Sequence, residues 1–190
     1  MKCVFIGGIP ASGKSYIAKK VANEIGAIHI DLDKLRCSEM IKNPELKPWT
    51  EFFMNRDEKT YWENTNCEQH WNNLKNQSEA FWPTMLRKIK ETQSLGKSIV
   101  FEAVNILPHL ARRDLDFEGI FLLGESLDVI FERNKKDPRW GKTEELQKIE
   151  ADRFYNCEGP MYKKEAEKYG FKTFIDPIEA EKEVLKLMEY

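Results

Sequence analysis

Gly8-Ile9-Pro10-Ala11-Ser12-Gly13-Lys14-Ser15 decides how this chain folds. The stretch fits G-x-x-x-x-G-K-[ST], the Walker A pattern, in full. Directly before it, Cys3-Val4-Phe5-Ile6 is an apolar run with no polar alternation, the pattern of a strand buried on both faces of a parallel sheet. Directly after it, Ile17, Ala18, Val21 and Ile25 recur at helical spacing until Gly26, which predicts a helix over 14–24. In that context the motif is a phosphate cradle. Gly8 and Gly13 let successive backbone N–H groups turn inward, and Ile9, Pro10, Ala11 and Ser12 supply the intervening backbone. The following helix adds its free N–H groups and the positive end of its dipole. Lys14 suits the β- and γ-phosphates, and the Ser15 hydroxyl suits Mg²⁺. The ligand expected is a nucleoside triphosphate, ATP, with Mg²⁺.

Outward from the cradle, strands alternate with helical patterns, which implies βαβ units and a parallel sheet. Ala27–Ile30 reads as the second strand, and a short helix is predicted from Asp33 to about Ile41. Ser98–Phe101, Gly119–Leu123 and Phe171–Ile175 read as the third, fourth and fifth strands. Residues 126–134, 143–155, 160–169 and 178–189 read as helices. Region 43–95 differs in composition, with Trp49, Phe52, Phe53, Tyr61, Trp62, Trp71, Phe81 and Trp82 set among polar residues. It reads as a helical insertion on the acceptor side, broken ahead of Pro83, with most of its aromatics packing it against the sheet. No linker separates two domains, so residues 1–190 read as one.

Open parallel sheets bind ligands outside the carboxyl ends of their strands. The second strand ends at Asp31-Leu32-Asp33 and the third at Glu102-Ala103-Val104-Asn105, which puts carboxylates on the triphosphate's rim. Asp33 with Arg36 forms D-x-x-R, a carboxylate able to take a proton from a hydroxyl and an arginine able to orient an anion. Asp31 and Glu102 join Ser15 as the expected Mg²⁺ residues. Arg133, Lys135, Lys136 and Arg139 fall after the fourth strand, where a cationic lid over 133–141 can close on the triphosphate. A GTPase reading fails on spacing: Asp116-Phe117-Glu118-Gly119 and Asn134-Lys135-Lys136-Asp137 start only 18 positions apart, too few for the strand–helix–strand a GTPase needs between them. His29 reads as structural, and His70 and His109 have no partners at ligand spacing.

The composition sets outer limits. Thirty Lys and Arg against 32 Asp and Glu leave a net charge of −2, so no whole-molecule basic field draws nucleic acid or an anionic membrane. Nucleic acid is therefore not the favoured partner, and no apolar run is long enough for a membrane span. Cys3, Cys37, Cys67 and Cys157 are scattered without a C-x-x-C pair, so neither a disulfide frame nor a zinc site is expected and a cytoplasmic location fits.

Together, Gly8-x-Pro10-Ala11-Ser12-Gly13-Lys14-Ser15, Asp33-x-x-Arg36, Val100-Phe101-Glu102-Ala103-Val104-Asn105 and Glu132-Arg133-Asn134 resemble the small P-loop kinases of the nucleoside-monophosphate-kinase-like superfamily. The pattern is most similar to the group holding polynucleotide 5′-hydroxyl kinases and zeta-toxin-type sugar-nucleotide kinases. The resemblance implies an α/β three-layer sandwich around a five-stranded parallel sheet, order 2-3-1-4-5, with a lid. It implies that Asp33 is the general base, that Arg36 places the acceptor and that Arg133 is the lid arginine, with Arg139 beside it. The third-strand motif of that group reads D-A-T-N, so the threonine hydroxyl is absent at Val104. The activity implied is γ-phosphoryl transfer from ATP to a hydroxyl of a small-molecule or nucleotide-like acceptor. The alternatives are a nucleotide-dependent switch or ATPase with a protein partner, and a polynucleotide 5′-end kinase.

Overall fold

The structure is a computed structural model that describes residues 2–35, 44–50, 52 and 56–189. Arg36, Cys37 and Phe53, and most of the short helix expected after Asp33, lie outside the described residues.

Five strands, β1 (Cys3–Gly8), β2 (Ile28–Asp31), β3 (Ile99–Glu102), β4 (Gly119–Leu122) and β5 (Lys172–Phe174), form one sheet in the order β2-β3-β1-β4-β5. Every neighbouring pair is parallel. This is the topology implied by the resemblance. The register sets Ile6 and Asp31 on either side of Glu102, so the acidic strand tips are adjacent.

Alternation along the strands builds two cores. Val4, Ile6, Val100, Ile120 and Leu122 face α1 (Lys14–Ile25) and α9 (Pro177–Met188). Phe5, Phe101 and Phe121 face the other way, into a core shared with α4 (Cys67–Gln93), α5 (Pro108–Asp114) and α8 (Gly159–Lys168). Both faces are covered, which is why β1, β3 and β4 read as continuous apolar runs.

The insertion is helical, as its pattern suggested, but it is not broken at Pro83. It holds α2 (Lys47–Thr50), α3 (Glu58–Glu63) and the 27-residue α4, which runs through the proline. A proline inside a helix costs about 3 kcal/mol. Phe81 and Trp82 are each 1% exposed, and burying two large aromatics offsets that cost at about 25 cal/mol per Å². The helix also starts cleanly: Asn66 Oδ1 accepts from the Gln69 N–H at 2.9 Å and Gln69 Oε1 accepts from the Asn66 N–H at 3.0 Å.

Three further expectations are corrected. The helix expected over 126–134 runs on to Lys136, so α6 (Leu127–Lys136) includes Arg133, Lys135 and Lys136 and the expected lid over 133–141 begins inside it. Three cations in the last turn are favoured there by the helix dipole. The helices expected as 143–155 and 160–169 are continuous: α7 (Glu144–Asp152) passes through a π-helical segment, Arg153–Glu158, into α8. The cysteine reading also changes, since Cys67 and Cys157 form a disulfide across 90 positions. Scattered cysteines are paired by the packing of α4 against the π-segment, a tertiary contact invisible to local spacing. No described helix is long and apolar enough to cross a membrane.

Candidate active site

The loop between β1 and α1 takes the conformation its glycines permit. Gly8 has φ 120° and Gly13 φ 102°, and Ala11 joins them in left-handed space at φ 55°. A Cβ on Gly8 would collide with the Leu122 carbonyl of β4. The loop is braced from inside, with the Ile9 carbonyl accepting from Ser12 Oγ at 2.8 Å and from Lys14 Nζ at 2.6 Å. Gly13 caps α1 without a side-chain bond, and no acidic residue stands in the first turn. The helix therefore presents uncapped N–H groups and unopposed positive dipole to the loop, an arrangement suited to an anion.

Lys14 is 5% exposed. Burial pulls its ammonium below the usual lysine value, and the Asp33 and Glu102 carboxylates oppose that. Two of the expected acids thus act on the cradle lysine. Asp31, Asp33 and Glu102 each offer one carboxylate oxygen within 4.8 Å of the others. Three hard oxygen donors at that spacing fit a divalent cation such as Mg²⁺. Glu102 is buried, which raises its carboxyl, but His29, Lys14 and the Ser15 hydroxyl outweigh burial and hold it below the usual range. Those partners favour its anionic form. His29 Nε2 lies 3.4 Å from Glu102 Oε1, so this histidine of β2 sits beside the acid.

Asp31 and Asp33 divide the work. Asp31 Oδ1 accepts from the Asp33 N–H at 3.1 Å and the Lys34 N–H at 3.4 Å, so Asp31, not Asp33, caps the helical turn that follows β2. Asp33 reaches across to β3 instead, where the Val104 N–H lies 3.1 Å from both of its carboxylate oxygens. The Val104 carbonyl accepts from the hydroxyl of Tyr162. Asn105 is fully buried and donates to Ser78 Oγ at 2.8 Å, which ties the end of β3 to α4.

On the other side of the cradle, Arg133 donates to the Ser12 carbonyl at 3.0 Å and pairs with Glu125 at 2.6 Å. Its guanidinium lies against Gly13. Arg133 and Arg139 line a cavity of about 170 Å³ with Lys14, Ser15, Tyr16 and Asp137. The structure therefore brings the cradle, two of the expected arginines and three acids to one rim; Arg36 lies outside the described residues.

Sequence reasoning missed the wall that α4 and α8 build beside this rim. His70, far from lacking partners, joins Tyr61 through Nδ1 at 2.9 Å and Glu158 through Nε2 at 2.8 Å. Asn73 donates to the Tyr61 oxygen at 3.2 Å, so the set of partners runs Asn73, Tyr61, His70, Glu158. Burial pushes the Tyr162 hydroxyl well above its usual value, and Glu158 adds to that. His109 likewise has partners, bridging Glu79 and Glu165 on the outer side of α4 and α8. No local motif connects position 70 with 158 or 109 with 165.

Comparison with known proteins gives a consistent picture of the fold. The family model described as Zeta toxin matches residues 2–45, the part that carries β1, the cradle, α1 and Asp33. No curated protein matches the chain significantly. Among solved structures, shikimate kinase from Bacteroides thetaiotaomicron is similar at 17% identity and TM-score 0.56, covering 100% of this chain and 99% of that one. Deoxyadenosine kinase from M. mycoides with bound dATP is similar at 14% identity and TM-score 0.51, with 99% of each chain covered. A gluconokinase from Sinorhizobium meliloti is similar at 16% identity and TM-score 0.51, covering 98% of this chain and 91% of that one. With strand order, cradle and rim already in place, these likenesses establish that the chain has the small P-loop kinase fold.

Proposed function

We propose that the protein is an ATP-dependent kinase that transfers the γ-phosphoryl group to a hydroxyl of a small-molecule or nucleotide-like acceptor. The observation that carries this reading is the gathering of Asp31, Asp33 and Glu102 at the ends of adjacent strands, with carboxylate oxygens within 4.8 Å of one another, on the rim that carries the buried cradle lysine. A nucleotide switch needs the cradle and one acid for Mg²⁺. A phosphotransferase also needs an acid facing the terminal phosphate to receive the acceptor's proton.

In this reading Lys14 and the backbone from Gly8 to Ser15 hold the polyphosphate. Ser15, Asp31 and Glu102 would hold Mg²⁺, which would supply neutralisation of charge on the phosphate oxygens. Asp33 takes the proton from the acceptor hydroxyl as its oxygen attacks phosphorus. Arg133 and Arg139 balance the charge that builds on the transferring group, and the segment 133–141 acts as the lid. Arg36 steadies the acceptor.

The test is ADP release measured with MgATP across sugars, nucleosides, sugar nucleotides, phosphorylated acids and oligonucleotide 5′ ends. One acceptor class should raise ADP release well above the basal rate and become phosphorylated. Slow ATP loss that no acceptor stimulates would favour a nucleotide switch, and absence of MgATP uptake in calorimetry would end the reading.

A further inference from the structure

The Cys67–Cys157 pair has surroundings that a purely structural cross-link does not need. Its Cα atoms are 5.0 Å apart. Cys67 is the first residue of α4 and is partly exposed, whereas Cys157 lies in the π-helical segment and is 3% exposed. One guanidinium nitrogen of Arg153 faces both sulfurs, 3.9 Å from Cys67 Sγ and 3.6 Å from Cys157 Sγ. The second guanidinium nitrogen is anchored on the Trp62 carbonyl at 3.3 Å, and Nε is buried without a partner. A fixed cation is therefore aimed at two sulfurs. It contributes little to a neutral disulfide, but it forms an ion pair with a thiolate, and the α4 N-terminus adds to that effect at Cys67. The setting stabilises the reduced state and the leaving group of disulfide cleavage. Arg153 also lines a surface groove of about 850 Å³ with Lys59, Trp62 and Glu63.

We propose that Cys67–Cys157 is a site of reversible thiol–disulfide exchange whose co-reactant is a dithiol. A thiolate of the dithiol attacks Cys67 Sγ, forming a mixed disulfide. The Cys67–Cys157 bond breaks, and Cys157 leaves with the electron pair as a thiolate facing Arg153. The second thiol of the reductant then attacks its own sulfur in the mixed disulfide. This releases Cys67 and the oxidised reductant, a net transfer of two electrons and two protons. The exchange acts on the wall of the candidate site. His70 lies one turn beyond Cys67 and Glu158 directly follows Cys157, and these two residues pair at 2.8 Å. Opening the cross-link removes the covalent tie that holds α4 to the segment bearing Glu158 and Tyr162. The proposal stands on the sulfur environment alone and does not require the kinase reading.

The test treats the full native chain with millimolar dithiothreitol, then with oxidised glutathione, quenches with acid and maps alkylated cysteines by mass spectrometry. The cross-link should open without denaturant and close again, and glutathione trapped in the act should sit on Cys67 in preference to Cys157. Arg153→Gln should slow opening by about tenfold and Arg153→Lys should restore most of the rate. High ionic strength should slow the wild-type protein in the same direction, a readout independent of how well the variants fold. A bond that opens only in denaturant, an opening rate indifferent to Arg153 and to salt, or thiols that do not rejoin would each overturn the proposal.

Discussion

Asp33 and Val104 are joined across the sheet rim, the Val104 backbone N–H sitting 3.1 Å from each carboxylate oxygen of Asp33. One donor shared by two oxygens helps to fix the plane of the carboxylate. The Val104 backbone thus takes part in orienting the carboxylate. Asp33→Asn keeps the shape but loses the basicity, so turnover with the identified acceptor should fall by about 10²–10⁴-fold. MgATP affinity measured by calorimetry should change far less. Equal loss of binding and turnover would show that Asp33 holds the nucleotide complex rather than receiving a proton.

Gly8 carries a second prediction. Its φ is 120°, and a methyl group there would strike the Leu122 carbonyl. Gly8→Ala should destabilise the fold by roughly 1–3 kcal/mol from backbone strain alone, with the clash adding to that. Triphosphate binding should be lost as the loop is displaced. Thermal denaturation with and without MgATP checks both: the variant should unfold earlier and gain no stabilisation from the nucleotide.

How far the sequence was readable follows from the range over which each contact acts. The cradle was legible because Gly8, Gly13, Lys14 and Ser15 do their work within one turn of chain. The acids at 31, 33 and 102 were legible because parallel strands must bring their carboxyl ends to one rim. The helix that carries Arg133 was legible from its apolar face, but its end at Lys136 rather than Asn134 was not, because no local stop signal marks it. Pro83 misled because burial of Phe81 and Trp82 outweighs a local breaker. The pairs Cys67–Cys157 and His70–Glu158 join segments 90 and 88 positions apart, and no periodicity encodes such a meeting.

Glu150 gives a pH prediction. It is 1% exposed, and burial pushes its carboxyl up to about 7; Glu58 raises it further while the Asn134 side chain, at 2.8 Å, and the Gly141 and Trp140 backbone oppose the rise. The folded value lies above the unfolded one, so the folded state binds the proton more tightly. Stability should therefore fall as pH rises from about 4.5 toward 7, and this contribution should be flat above that. Glu150→Gln cannot ionise and should remove that slope, leaving the variant more stable than wild type at pH above 7 by up to a few kcal/mol. Urea denaturation at a series of pH values measures it. Parallel slopes in the two proteins would reject the assignment.

His70 and Glu158 give the last. They meet at 2.8 Å with side chains 4% and 3% exposed, and Glu158 Oε2 is buried with no partner. Removing one member of such a pair leaves the other buried and uncompensated, a loss of roughly 3–5 kcal/mol. His70→Ala should cost that much, because it removes the partner of Glu158 Oε1 and leaves both carboxylate oxygens unmet. Replacing both, His70→Phe with Glu158→Leu, trades the polar pair for apolar packing and should recover much of the loss. If the double variant recovers stability but loses acceptor-dependent turnover while keeping MgATP binding, the pair serves the wall of the site. Full turnover in the stable double variant would confine its role to packing.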